Sequence, residues 1–139
     1  MAGKRCGILD GKGGVFMIFQ GYVRRFSTEN DGQYDAIGAF WDEMAAIYGR
    51  ENLRGLGFGW TADTIEYAIG LKTGELNRSA PAYLEMELPD AEWQHWRGRT
   101  DSLAAMYEEI YRDGPLHFEI ETFDDDGNCE LMVFRPDGK

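Results

Sequence analysis

The order strand, helix, strand, strand occurs twice in this sequence, with Trp41 of the first helix matched to Tyr107 of the second. β-branched and aromatic residues over 15–26 predict a strand. After the turn Glu29-Asn30-Asp31-Gly32, apolar residues at Ile37, Phe40, Trp41, Met44 and Tyr48 mark one face of a helix that stops near Gly49. Runs 56–60 and 65–71 form a hairpin across Thr61-Ala62-Asp63-Thr64, and 82–88 and 92–97 two further strands about Pro89-Asp90. A second helix begins at Thr100 or Asp101, carries Leu103, Met106, Tyr107 and Ile110 on one face, and ends at Gly114-Pro115. Runs 116–123 and 129–134 make the last hairpin. The helices share an aromatic-acidic-acidic-apolar core, Trp41-Asp42-Glu43-Met44 against Tyr107-Glu108-Glu109-Ile110. The expectation is an α+β fold of two duplicated halves, forming one concave antiparallel sheet with both helices on one face. Residues 1–14, rich in glycine, read as a flexible leader, and 15–136 as a single domain.

With 43% hydrophobic and 14% aromatic residues, 139 residues bury a core large enough to fold alone. Fourteen basic residues against 25 acidic give a net charge of −11, which repels phosphate backbones and excludes direct nucleic-acid binding. The same sign favours a cationic partner. Cys6 and Cys129 stand far apart without a CxxC pair, so neither a disulfide framework nor a zinc knuckle follows. The longest apolar run, 15–19, is too short to span a bilayer, and no signal-peptide core is present. A cytoplasmic protein with no membrane partner is expected.

The hairpin registers sort side chains between two faces. Pairing about Ala62-Asp63 sets Trp60 opposite Ile65, Phe58 opposite Tyr67 and Leu56 opposite Ile69, all under the helices. The other face then carries Gly55, Gly57 and Gly59 across from Gly70, Ala68 and Glu66, a flat floor with one carboxylate. Pairing about Asp126-Gly127 puts Phe118, Ile120, Leu131 and Val133 in the core, and Glu119, Glu121, Phe123, Glu130, Met132 and Phe134 opposite them. Glu66 is then the mate of Met132 in the second half. Aromatic, thioether and acidic groups on one face suit a flat organic cation, through dispersion, cation–π attraction and charge. Trp41 and Tyr107 are expected beside the groove, with either Trp93 or Trp96 as another wall. The alternative is a solvated sheet face with scattered apolar residues.

Catalytic and metal motifs fail on spacing. Aligning Gly127 with the glycine of a calcium loop puts Thr122 and Val133 at ligand positions. Gly11-Lys12-Gly13-Gly14 lacks the ending of a phosphate loop, and Gly55-Leu56-Gly57-Phe58-Gly59 lacks dinucleotide spacing. His95 and His117 match no metal pattern. No catalytic residue, metal or cofactor is predicted.

Three stretches of the first half, Gly21-Tyr22-Val23-Arg24-Arg25-Phe26-Ser27-Thr28, Phe40-Trp41-Asp42-Glu43 and Ile65-Glu66-Tyr67-Ala68-Ile69-Gly70, resemble GyrI-like effector-binding domains. So do Pro89-Asp90-Ala91-Glu92-Trp93-Gln94-His95-Trp96, Met106-Tyr107-Glu108-Glu109-Ile110, Phe118-Glu119-Ile120-Glu121 and Met132-Val133-Phe134-Arg135-Pro136 in the second half. The resemblance implies a concave eight-stranded sheet that binds lipophilic, often cationic molecules beside a pocket carboxylate. Family members occur fused to helix-turn-helix activators of multidrug response, free-standing, and as integron-associated effector-binding proteins, which this chain most resembles. Some free-standing relatives hydrolyse strained cyclopropane-containing compounds. Met132 stands where the family's final strand is usually acidic, so Glu66, Glu121 or Glu130 would supply the charge. The resulting expectation is a stand-alone binding protein for an amphipathic, cationic aromatic ligand, with any regulation exerted through a separate protein partner. The alternatives are a hydrolase using a pocket carboxylate and a protein-binding inhibitor module.

Overall fold

The computed structural model describes residues 8–9, 15–89 and 92–135. Its strands are β1 (Ile8–Leu9), β2 (Val15–Ser27), β3 (Leu53–Phe58), β4 (Thr64–Leu71), β5 (Tyr83–Leu88), β6 (Gln94–Arg99), β7 (Phe118–Phe123) and β8 (Asn128–Phe134). Helix α1 (Gln33–Tyr48) precedes β3, and α2 (Leu103–Arg112) precedes β7. Of the leader expected over 1–14, only Ile8–Leu9 lie among the described residues, and they pair with the start of β2.

All pairings are antiparallel, in the order β2-β4-β3-β7-β8-β6, with β5 on the outer edge of β2. Leu88 and Gln94 are six residue steps apart, at most about 22 Å of chain. They end β5 and start β6, strands six spacings apart, about 29 Å in a flat sheet. The sheet must therefore curve to bring its edges together.

The amphipathic spacing that predicts the helices also fixes how they dock. Helix α1 buries Phe40, Trp41 and Met44, and α2 buries Met106, Tyr107 and Ile110, the same three-residue pattern. Gly49, at φ +86°, ends α1 with its N–H on the Ala45 carbonyl. Under α1 lie Leu53, Tyr67 and Ile69, and under α2 lie Cys129, Leu131 and Val133. Phe19, Leu56, Ala68, Leu88 and Ile120 form a third cluster on the sheet's other face.

Both hairpin registers differ from the expected ones by one residue. In the first, Phe58 pairs with Glu66, Gly57 with Tyr67 and Leu56 with Ala68. The turn itself is symmetric, with the Thr61 N–H on the Thr64 carbonyl at 2.9 Å. Between turn and ladder, however, Gly59 and Trp60 stand against Ile65 alone, and Gly59 adopts φ +65°. This is a bulge that turns one strand over relative to the other. In the second hairpin Phe118 pairs with Phe134, Ile120 with Met132 and Phe123 with Cys129. Here three residues, Asp125-Asp126-Gly127, connect Asp124 to Asn128, with Gly127 at φ +87°. Leu56, Phe58, Phe118 and Ile120 consequently face away from the helices, while Tyr67, Glu119 and Glu121 face them.

Candidate functional site

The two register shifts assemble a polar cluster under the helices. Gly55 and Gly57 of β3 lie between β4 and β7, with Gly57 opposite both Tyr67 and Glu119, and Gly55 opposite both Ile69 and Glu121. Neither glycine leaves a bare floor. A methyl at Gly55 would lie 2.0 Å from the Tyr67 hydroxyl, and one at Gly57 would lie 2.9 Å from Glu119 Cγ. Both larger side chains extend over β3 because it offers only hydrogens there.

Tyr67 donates its hydroxyl hydrogen to Glu121 Oε1 and accepts a hydrogen bond from Trp41 Nε1 at 2.8 Å. Tyr107 donates to the other oxygen of Glu121 at 2.5 Å, and Tyr111 donates to Glu119 at 3.1 Å. Glu119 and Glu121 are only 5% and 6% exposed. Among the described residues, no ion pair reaches either carboxylate.

Burial raises the pKa of both acids, because removing a carboxylate from water disfavours its charged form. The Tyr107 and Tyr67 hydroxyls work against that shift at Glu121. Glu119 is pushed up to about 8, first by burial and then by the adjacent charge of Glu121, with hydrogen bonds from Tyr111 and Tyr107 partly offsetting it. The charge of Glu121 is among the causes that raise Glu119, so Glu119 is the carboxyl of the pair that keeps its proton to higher pH. Tyr67 and Tyr107 are pushed well above the ordinary phenol value, mainly by burial, and remain donors.

A cavity of about 740 Å³ opens above this cluster, between α1 and α2. Its walls are Tyr34, Ile37 and Trp41 of α1, Leu103, Tyr107 and Tyr111 of α2, and Trp60, Ile65, Tyr67 and Phe123 from below. Trp41 meets Phe123 edge to face at 4.8 Å, and Tyr107 stacks on Tyr111 at 5.5 Å. Asp35, Asp42, Asp124 and Asp125 also line it; the basic residue among its lining is Arg50, paired with Asp42 at 2.8 Å. Aromatic ring faces, a buried carboxyl and a negative rim are groups that stabilise a positive charge brought beside them.

Trp41, Tyr107, Glu119 and Glu121 thus come together in one cavity. Glu66 faces away from the helices with Leu56 and Phe58, and its carboxylate binds Arg25. Gly57 lies beneath Glu119, while Gly59 forms the bulge. Glu130 is exposed beside Arg97, and Met132 packs in the cluster of the opposite face. Trp96 packs under α2, whereas Trp93 lies on the other face against Phe118 and Phe134. Trp93 and Phe134 line a separate cavity of about 450 Å³. Sequence reasoning had Tyr67 and Trp60 as plain core and missed Tyr34 and Tyr111. The signal for Tyr67 was present in the glycines beside it, since a large side chain fills space that a glycine row leaves open.

No family model matches the sequence, and no curated protein does. Solved structures do. SAV2435 bound to tetraphenylphosphonium aligns at TM-score 0.59 and 13% identity, over 85% of this chain and 92% of that one. A candidate bacterial transcription regulation protein from Staphylococcus aureus MU50 aligns at TM-score 0.56 and 14% identity, over 85% and 95%. The likeness is one of fold. No helix of the described residues is long and apolar enough to cross a membrane, and none of their acidic, histidine or cysteine side chains group as a metal site.

Proposed function

We propose that this protein binds amphipathic aromatic cations in the cavity between α1 and α2, with Glu121 as the counter-charge. The observation that carries this reading is a buried Glu121 carboxyl held by two tyrosine hydroxyls under aromatic walls. The cavity lies within the range of drug-sized ligand sites, about 300–1,000 Å³. A fold neighbour, SAV2435, binds the lipophilic cation tetraphenylphosphonium, which supports the same class of ligand here. A module that only docked against another protein would have no use for a concavity of this size between its helices. The GyrI-like effector-binding function implied by the sequence motifs fits this reading, with Glu121 in place of the acid missing at Met132.

The test is titration calorimetry with tetraphenylphosphonium and with neutral triphenylphosphine oxide. Glu121→Gln is expected to weaken the cation at least about tenfold and the neutral compound less than about threefold, the difference reflecting a lost counter-charge at about 1.4 kcal/mol per decade. Equal losses for both ligands would mean that Glu121 shapes the cavity without providing charge recognition.

A second reading, hydrolysis of a strained electrophile in the same cavity, is favoured by two buried carboxyls on alternate positions of one strand, of which Glu119 is pushed up to about 8, the pairing that a general acid beside a general base requires. Turnover of a cyclopropane-bearing electrophile that is lost in both Glu119→Gln and Glu121→Gln would establish it; binding without turnover would reject it.

A further inference from the structure

A site for a monocation needs one carboxylate, yet this cavity has two, on alternate positions of β7. Glu119 and Glu121 point to the same face, both are buried, and they share no cation among the described residues. Their donors are unequal: Glu121 accepts hydrogen bonds from Tyr67 and Tyr107, which also pack in the core, while the half-exposed Tyr111 donates to Glu119 at 3.1 Å. We propose that a cation entering the cavity displaces a proton from the Glu119–Glu121 pair, so that binding is coupled to proton release, with Glu119 as the proton-holding carboxyl. This proposal rests on the binding function above.

A positive charge placed beside two close carboxyls relieves their mutual repulsion and favours the doubly ionised pair. Glu119, poised at about 8, then gives up its proton at neutral pH. The other groups facing the pair do not supply this proton. Tyr34 on α1, Tyr67 on β4 and Tyr107 and Tyr111 on α2 are all held above the ordinary phenol value, chiefly by burial. Cys129 on β8 is likewise raised by burial, then by the charge of Glu121. Asp124 at the rim is held below the ordinary carboxylate value by hydrogen bonds from Asn128, and Arg50 is engaged by Asp42. Asp35, Asp42 and Asp125 sit at the exposed rim, away from the Glu119–Glu121 contacts.

The proposal makes tetraphenylphosphonium, whose charge does not titrate, the appropriate probe. Calorimetry on the full chain from about pH 6 to about pH 9 should show affinity rising with pH, by up to about tenfold per unit, and levelling off above the midpoint of Glu119 in the free protein. At neutral pH, buffers of different ionisation enthalpy should report the release of up to about one proton per ligand. Glu119→Gln should flatten the profile and remove the buffer dependence. Tyr111→Phe, which removes a donor to the charged form of Glu119, should move the midpoint upward. Binding that is independent of pH and buffer overturns the proposal and leaves the binding function intact. Proton release that persists in Glu119→Gln overturns the assignment to Glu119. No binding of the probe at any pH overturns the binding function and this inference together. The wild-type measurements decide the coupling even if Glu119→Gln does not fold.

Discussion

At the scale of single residues, the site depends on an absence as much as on a side chain. Tyr67 reaches Glu121 because Gly55 has no Cβ, and Trp41 and Glu121 hold the phenol from both sides. An added methyl at Gly55 would lie 2.0 Å from the hydroxyl oxygen and 2.6 Å from Cζ, so it cannot fit unless Tyr67 moves. If the phenol moves, two hydrogen bonds are lost and a buried carboxylate loses one of its donors. Gly55→Ala is therefore expected to destabilise the fold by about 1–3 kcal/mol, the usual cost of overpacking a filled site. Urea unfolding midpoints measure this, and an unchanged midpoint would show that Tyr67 has room to retreat. The same variant should weaken cation binding, since Glu121 then shifts towards its protonated form as a donor to the charged state is withdrawn.

At the scale of elements, period and turn contribute different information. Both helices were legible because apolar side chains recur at three and four residues, and nothing outside the helix changes that count. Strand alternation was equally legible within each strand. What it could not supply was the phase between paired strands, which one extra residue in a turn reverses. Gly59 and Trp60 against Ile65 shift the first hairpin, and the three-residue loop Asp125-Asp126-Gly127 shifts the second. Glu66 was thereby grouped with the glycines of β3 and the acids of β7, and Tyr67 with Leu56 and Phe58, whereas the ladder sets Glu66 beside Phe58 and Tyr67 beside Gly57 and Glu119. Trp41 and Tyr107, on the buried faces of α1 and α2, line the cavity between the helices, whereas the groove expected from the sequence lay on the sheet face opposite them. The acids of β7 were grouped with Glu130 and Met132 by the assumed pairing about Asp126-Gly127, and no local pattern reveals that tyrosines from β4 and α2 cover them. The bulge is testable by itself. Gly59 adopts φ +65°, where an L-residue is disfavoured by about 1–2 kcal/mol, so Gly59→Ala should lower the unfolding free energy by about that amount. A neutral result would mean that the bulge relaxes without cost.

At the scale of the molecule, the strand order reads the same outward from the β3–β7 contact, β4 then β2 on one side and β8 then β6 on the other. The cavity sits over that junction, and Glu121 receives one tyrosine from each side of it, Tyr67 and Tyr107. Burying two carboxyls there makes folding sensitive to pH. Folded Glu119 titrates at about 8, above the ordinary carboxyl value of about 4.3, so the folded state retains a proton that the unfolded chain has released. Its contribution to stability is fully present below the unfolded pKa and is lost as pH rises to about 8, by up to about 1.4 kcal/mol per pH unit. Glu43 and Asp124, whose pKa values are lowered by Arg24 and by Asn128 respectively, act in the opposite sense and only in more acidic solution. The ligand-free protein should therefore be more stable near about pH 5 than near about pH 8, and Glu119→Gln should reduce that difference. Because the −11 net charge also disfavours the compact state as remaining acids ionise, the comparison between variant and wild type, more than the wild-type slope alone, isolates Glu119. Thermal melts of both proteins at the two pH values decide it: parallel losses would show that the Glu119 proton is not linked to folding, and a flatter variant profile would show that it is.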